Sequence, residues 1–215
     1  MASQRPTRQS EGKFAVARTP RGGEHADSLV RAGLSLDLLL GFAPFVAFLG
    51  LMRLSVSFAL WAAFAAAFTL SLPAFLKTRR LRTLDAGSLV LFGVLALFAG
   101  FIPPVATLGA VRFMVDLGLL VTALISLWWG EPFTLQYAHE NARDDRPSSP
   151  DFVQLHWRIS AAWAAGFAAM AAADAAAIFV SGMPDTVSAA FGLAGLLGAL
   201  TFTLRYPAYA RRRSR

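Results

Sequence analysis

Three charged residues interrupt runs that are otherwise apolar: Arg112, Asp116 and Asp174. Arg112 and Asp116 lie four residues apart in one run and therefore share a helix face. Asp174 lies in a later, alanine-rich run. A charge inside a bilayer costs several kcal/mol unless it is paired or hydrated. Two carboxylates around one guanidinium leave one negative charge in excess, which a proton on one aspartate or a bound cation would relieve. The chemistry available to such a set is proton or cation binding, within a transport path if one exists. The same residues also suit a purely structural role, as an ion-paired clamp between helices or with Arg112 snorkelling outward.

Other reactive groupings are missing from the sequence. It has no cysteine, which removes disulfides, thiolate metal ligands and thiol nucleophiles. It has no His-Glu-x-x-His metal motif, no Gly-x-Ser-x-Gly turn and no phosphate loop. Asp116 and Asp174 are conceivable as a protease dyad, but no recognisable protease motif surrounds either. His139 and His156 flank a polar segment and are read as solvated or interfacial, and no histidine falls within an apolar run. Asp37 and Asp85 each precede an apolar run and suit helix N-termini. The expectation is a protein that is not an enzyme and that uses no cofactor or metal.

The elements that must position the three charges are membrane spans. The chain has 215 residues, 56% of them hydrophobic and 15% charged, against about 25% charged in soluble domains. Its mean hydropathy is +0.52. Six apolar runs are expected as helices over 34–52, 56–76, 86–102, 107–129, 159–181 and 187–206, since a bilayer core of about 30 Å needs roughly 20 apolar residues. Pro44 should kink the first, and the second should end where Pro73 and the basic cluster intervene. Residues 1–33 read as a disordered tail, 130–158 as a cytoplasmic loop and 207–215 as a basic tail. Within the loop, a short interfacial helix should begin at Glu131-Pro132 and turn Phe133, Leu135 and Tyr137 to lipid.

The distribution of basic residues orients these spans. Of 20 Lys and Arg, all but Arg53 and Arg112 fall in four segments. These are the N-terminal stretch, the loop from Lys77 to Arg82, the segment holding Arg143, Arg146 and Arg158, and the C-terminal stretch from Arg205. Short basic loops stay on the cytoplasmic side, so the reading is an all-α polytopic protein of three hairpins with both termini cytoplasmic. The pI near 11 is then explained by topology and by anionic headgroups at the cytoplasmic face, without nucleic acid. No cleavable leader is expected, because a long polar stretch precedes the first run.

That topology brings the three charges to a common level. At 1.5 Å per residue, Arg112 lies about 7 Å and Asp116 about 13 Å below the outer end of the fourth span, and Asp174 about 12 Å below the turn at Gly182. Small residues mark where helices can approach closely. Ala161, Ala165, Ala169, Ala173 and Ala177 recur every fourth residue on the fifth span. Gly192, Gly195 and Gly198 form a related surface on the sixth. Packing within one bundle is the favoured use of this stripe, ahead of dimerisation.

Several segments recur in an order that resembles a known family. Leu36-Asp37-Leu38-Leu39-Leu40 leads to Ala43-Pro44-Phe45-Val46-Ala47-Phe48, and a basic loop follows the second span. Trp128-Trp129-Gly130-Glu131-Pro132-Phe133-Thr134 follows the fourth, and Trp157 to Phe167 opens the fifth. Together, over residues 35–205, they resemble the intracellular septation protein A family of bacterial inner-membrane proteins. Glu131 stands where that family carries a basic residue, and the inner loop here is longer. The resemblance implies a role in cell-envelope maintenance or septation through contacts with other membrane proteins of the envelope, with no catalytic residues. A small proton-coupled transporter or channel using Arg112, Asp116 and Asp174 is the alternative.

Overall fold

The computed structural model describes residues 36–101, 108–141, 150–180 and 185–213. The tail expected over 1–33 and the outer turns at 102–107 and 181–184 lie outside these residues. Among the described residues there are eight helices and no strand. They are α1 (Leu36–Gly41), α2 (Ala43–Leu51), α3 (Val56–Thr78), α4 (Thr83–Phe101), α5 (Leu108–Trp128), α6 (Phe133–Asn141), α7 (Pro150–Phe179) and α8 (Asp185–Arg213). Four of them, α3, α5, α7 and α8, are long and apolar enough to cross a membrane. The apolar stretch of α4, Thr83–Ala99, is shorter.

Where the first span was expected there are two short helices. Pro44 has no N–H to donate and its ring crowds the carbonyl four residues back, so the helix interrupts at Phe42 and restarts with Pro44 in its first turn. The Phe42 carbonyl accepts from both Phe45 (3.0 Å) and Val46 (3.1 Å), which tightens the restart. Ser55 opens α3 from an extended backbone and accepts the Phe58 N–H on its side chain. Pro73, expected to help end the second span, lies inside α3. The helix continues to Thr78 and stops only at Arg79, whose left-handed backbone (φ 56°) returns its N–H to the Phe75 carbonyl. Nearby hydroxyls of Thr69 and Ser71 bond carbonyls of the preceding turn, the kind of local adjustment that lets apolar helices tolerate proline.

Two further expectations change. Within 130–158 the expected short helix is present as α6, and α7 begins at Pro150, nine residues before the start expected for the fifth span. The basic stretch from residue 207 continues α8 as helix to Arg213.

Successive helices pack as neighbours: α2 on α3, α3 on α4, α4 on α5, α5 on α7 and α7 on α8, the last two contacts being the most extensive. The short α6 packs against α1, α5 and α7. Phe133, Leu135 and Tyr137 are buried there rather than turned to lipid. An aromatic group explains why. Phe42, at the break between α1 and α2, stacks on Trp163 (4.9 Å between centroids) and meets Phe133 edge-on at 6.5 Å. A short amphipathic helix lying over such a group gains more by burying its aromatic rings in protein than by leaving them in a headgroup layer. Outward, α3 and α4 show bulky side chains, among them Phe58, Trp61, Phe68, Val90, Leu97 and Phe98.

The alanine stripe also falls differently. Residues four apart advance 40° around a helix of 3.6 residues per turn, so five of them cannot stay on one face. Ala173 is buried and Ala161 and Ala177 are half-buried, whereas Ala165 and Ala169 are exposed. Backbones of α7 and α8 come close at Gly166 and at Gly195, the latter one of the expected packing residues. A Cβ on Gly166 would lie 3.0 Å from the Gly195 carbonyl oxygen and 3.4 Å from Ala199 Cβ. Gly192 borders Met170, while Gly198 has open space around it. Gly166→Ala should therefore destabilise the protein by about 1–3 kcal/mol through overpacking. Gly198→Ala should be neutral or stabilising by up to about 1 kcal/mol, because alanine favours helix. Unfolding of both variants in detergent checks the contrast.

Candidate functional site

The three charges converge where α5, α7 and α8 meet. Arg112 Nη2 lies 2.7 Å from Asp174 Oδ1, with Asp174 only 3% exposed. Asp116, one turn further along the Arg112 face of α5, is buried as well. A fourth member comes from α8. The Ser188 hydroxyl donates to Asp174 Oδ1, and Arg112 Nη2 also reaches Ser188 Oγ at 3.5 Å. Asp174 Oδ2 is buried and has no hydrogen-bond partner among the described residues.

Local sequence accounts for the convergence. Apolar residues Val111, Val115 and Leu119 bury one face of α5, and the four-residue spacing puts Arg112 and Asp116 beside it. On α7, Ala171 and Ala173 are small enough to bring the backbone, and with it Asp174, close to its neighbours. Ser188 could have been found by the depth count that located the charges, because it lies six residues after Gly182. A search for charge alone passes over it.

The opposite ends of these helices hold a second polar assembly, built around α6. Asp85 is not a simple helix cap. Its Oδ2 pairs with Arg82 Nε at 2.8 Å and its Oδ1 accepts from the Tyr137 hydroxyl at 2.9 Å. The Arg82 guanidinium lies 4.2 Å from the Tyr137 ring centroid. Gln136 accepts the Thr83 N–H and donates to the Thr83 hydroxyl, both at 2.7 Å. At the start of α6, the Phe133 and Thr134 N–H groups donate to the hydroxyls of Ser126 (3.2 Å) and Ser160 (3.4 Å). Helix-terminal amides buried away from water are thereby satisfied. Asp37, read as a cap like Asp85, has a side chain outside the described set.

His156 belongs to this assembly too. Its Nδ1 lies 3.3 Å from Thr134 Oγ1, and its ring meets Phe152 at 4.6 Å. A helix of 30 residues is about 45 Å long, longer than a bilayer core, so the first turns of α7, with His156, project beyond the apolar stretch. Burial, with a smaller contribution from His139, pushes the His156 imidazole down from 6.5 to about 4. Neither histidine joins a group of three or more potential metal ligands among the described residues. Trp128 and Trp129 are exposed, as expected of interface anchors.

Chemically, the α5–α7–α8 centre is an ion pair with an additional buried acid, able to hold helices together and to bind a small cationic species. Arg112→Leu should cost about 3–5 kcal/mol by leaving buried carboxylates uncompensated. Arg112→Leu with Asp174→Leu should recover more of that loss than Arg112→Leu with Asp116→Leu, because Asp174 makes the direct contact. Detergent unfolding of the three variants decides this, and equal stability would show that the groups are not paired. His156 generates a pH dependence. The unfolded imidazole protonates below about 6.5 and the folded one only below about 4. The unfolded state thus binds more protons in that window, so this stability is full above pH 6.5 and declines as pH falls towards 4. His156→Gln should flatten that slope in a pH series of melting temperatures. No family model, curated protein or solved structure matches this chain.

Proposed function

We propose that the chain is a non-enzymatic, multi-pass protein of a bacterial inner (cytoplasmic) membrane. It has six spans in three hairpins with both termini cytoplasmic, and acts in cell-envelope maintenance or septation through contacts with other membrane proteins. Four long apolar helices support the membrane setting. The concentration of Lys and Arg in alternate segments supports the orientation. The resemblance to the intracellular septation protein A family supports the envelope role.

One observation carries the contact reading. Between Trp157–Arg158 and Ile178, the only residues α7 exposes are Ala165, Ala169 and Ala172, which lie within 60° of one another around the helix at 100° per residue. A lipid-facing helix gains nothing from such a flat strip, and the neighbouring α3 shows bulky phenylalanines and a tryptophan instead. A strip of alanines lets another helix backbone approach closely. The second reading, a small proton-coupled transporter or channel, is favoured by the buried Arg112–Asp174 pair with Asp116 buried on the same face of α5.

Because the sequence contains no cysteine, single cysteines give clean cross-linking. Ala165→Cys in native membranes should yield discrete adducts that a second change, Ala169→Leu, abolishes while the protein stays folded. Phe68→Cys, on the bulky face of α3, should yield none. Equal adducts from both positions, or adducts indifferent to Ala169→Leu, would remove the contact reading. A reporter fused after Arg215 should be active only in the cytoplasm. For the second reading, proteoliposomes should lose proton or solute flux with Asp116→Asn and with Asp174→Asn, and unchanged flux would dismiss transport.

A further inference from the structure

We infer that a groove on the exposed face of α8 seats one phospholipid with a net anionic headgroup, its phosphate on Arg205 and an acyl chain running past Gly198. This is a defined site for a single lipid, beyond the general attraction of basic segments to an anionic surface. It rests on the membrane setting and on neither the partner contacts nor the transport reading.

The shape of the groove follows from the sequence of α8. Gly198, Phe202, Arg205 and Tyr209 succeed one another at steps of four, three and four residues and so share a helix face. A Cβ on Gly198 would meet nothing within 4 Å, so the face is hollowed there between Leu197 and Phe202. The hollow has a volume of about 630 Å³ and runs from Leu197 and Gly198, past Phe202, to Arg205 and Tyr209. From Leu197 to Arg205 the helix rises about 12 Å. One leaflet supplies half of a hydrocarbon core of roughly 30 Å, so the hollow has the length of one lipid chain.

Its polar end carries the complementary charge. Arg205 stands at the close of the apolar stretch Thr186–Tyr206, where arginine reaches the headgroup layer. Arg158 of α7 comes to the same rim by donating to the Tyr206 hydroxyl, with its guanidinium 5.9 Å from that ring. Phe202 stacks on Tyr206 at 4.6 Å, which holds the ring in place. Neither arginine has a carboxylate partner among the described residues, and no Asp or Glu follows Asp185 in the sequence. A guanidinium presents a planar fork of N–H donors that matches two phosphate oxygens. The rim therefore offers uncompensated positive charge at the level of lipid phosphates, directly above a slot for hydrocarbon. A zwitterionic headgroup brings its own cation against these arginines, so a net anionic lipid is the better complement. A second copy of the chain fits less well, because a symmetric pair would set one arginine rim against the other.

Native mass spectrometry of the full chain in detergent, titrated with phosphatidylglycerol or phosphatidylcholine, tests the site. One phosphatidylglycerol should bind ahead of all others, about fivefold more tightly than phosphatidylcholine. Arg205→Gln should remove that preference, and Arg205→Lys should keep it. Gly198→Leu, which fills the hollow from a position with open space around it, should weaken both lipids in a protein that stays folded. Thr201 also lines the groove, and Thr201→Trp gives the same reading independently if Gly198→Leu unfolds. Arg80→Gln, the same loss of charge between α3 and α4, should leave binding unchanged. Glycerophosphoglycerol, the headgroup without its chains, should not displace the lipid at equal concentration. Equal loss of preference in Arg80→Gln would reduce the site to diffuse surface charge and overturn the proposal. Binding indifferent to both groove-filling variants, or displacement by the chainless headgroup, would overturn it too. A dimer that Gly198→Leu splits would place a second copy in the groove and reject the lipid. Failure of the Ala165→Cys cross-links with the lipid still bound would dismiss the contact reading and leave this site standing.

Discussion

A guanidinium 2.7 Å from a buried carboxylate ties together the two most extensive helix contacts of the molecule, α5 on α7 and α7 on α8. Removing an ion from water costs several kcal/mol even after relaxation, so the buried Asp174 carboxylate is stabilised by the Arg112 guanidinium beside it. The pair therefore sets a condition on the packing. Small residues are needed on α7 and α8, and Gly166 facing the Gly195 carbonyl at 3.0 Å from its would-be Cβ is how that condition is met. Ser188, placed by α8, adds a hydroxyl to the same carboxylate oxygen.

A different principle organises the end where α4 begins and α6 lies. Here the backbone itself demands partners, because α6 is a short helix inserted among longer ones and its first amides are buried. Ser126 and Ser160 supply hydroxyls to them, and Gln136 ties the helix to the first residue of α4. Tyr137 is fully buried with its hydroxyl on Asp85 and the Arg82 guanidinium over its ring. The helix is locked on both sides, with its aromatic residues filling the space opened by the break at Phe42. The two polar assemblies thus differ in kind: one neutralises charge towards one end of long helices, the other satisfies the backbone at helix starts.

Some of this was legible along the chain. Apolar length gives the long helices, because a run of about 20 apolar residues has few alternatives. Pro44 announced the break at Phe42, since a missing N–H acts locally. Arg112, Asp116 and Asp174 were marked by being charged in apolar runs, and two of them, Arg112 and Asp174, meet. Pro73 and the Phe133–Tyr137 face were misread. Whether a proline ends a helix depends on what satisfies the carbonyl it frees. Whether an aromatic face meets lipid or protein depends on what lies above it.

By itself, then, the chain determined its helical class, the local punctuation of its helices and the places of its charges along them, all of which follow from residues a few positions apart. Tertiary structure decided which oxygen of Asp174 is left without a donor, that Ser188 joins the centre, and that Ala165 and Ala169 face outward while Gly166 faces Gly195. These depend on the rotation of each helix about its own axis. A row advancing 40° per step leaves that rotation open, and only the fit of neighbouring surfaces selects it.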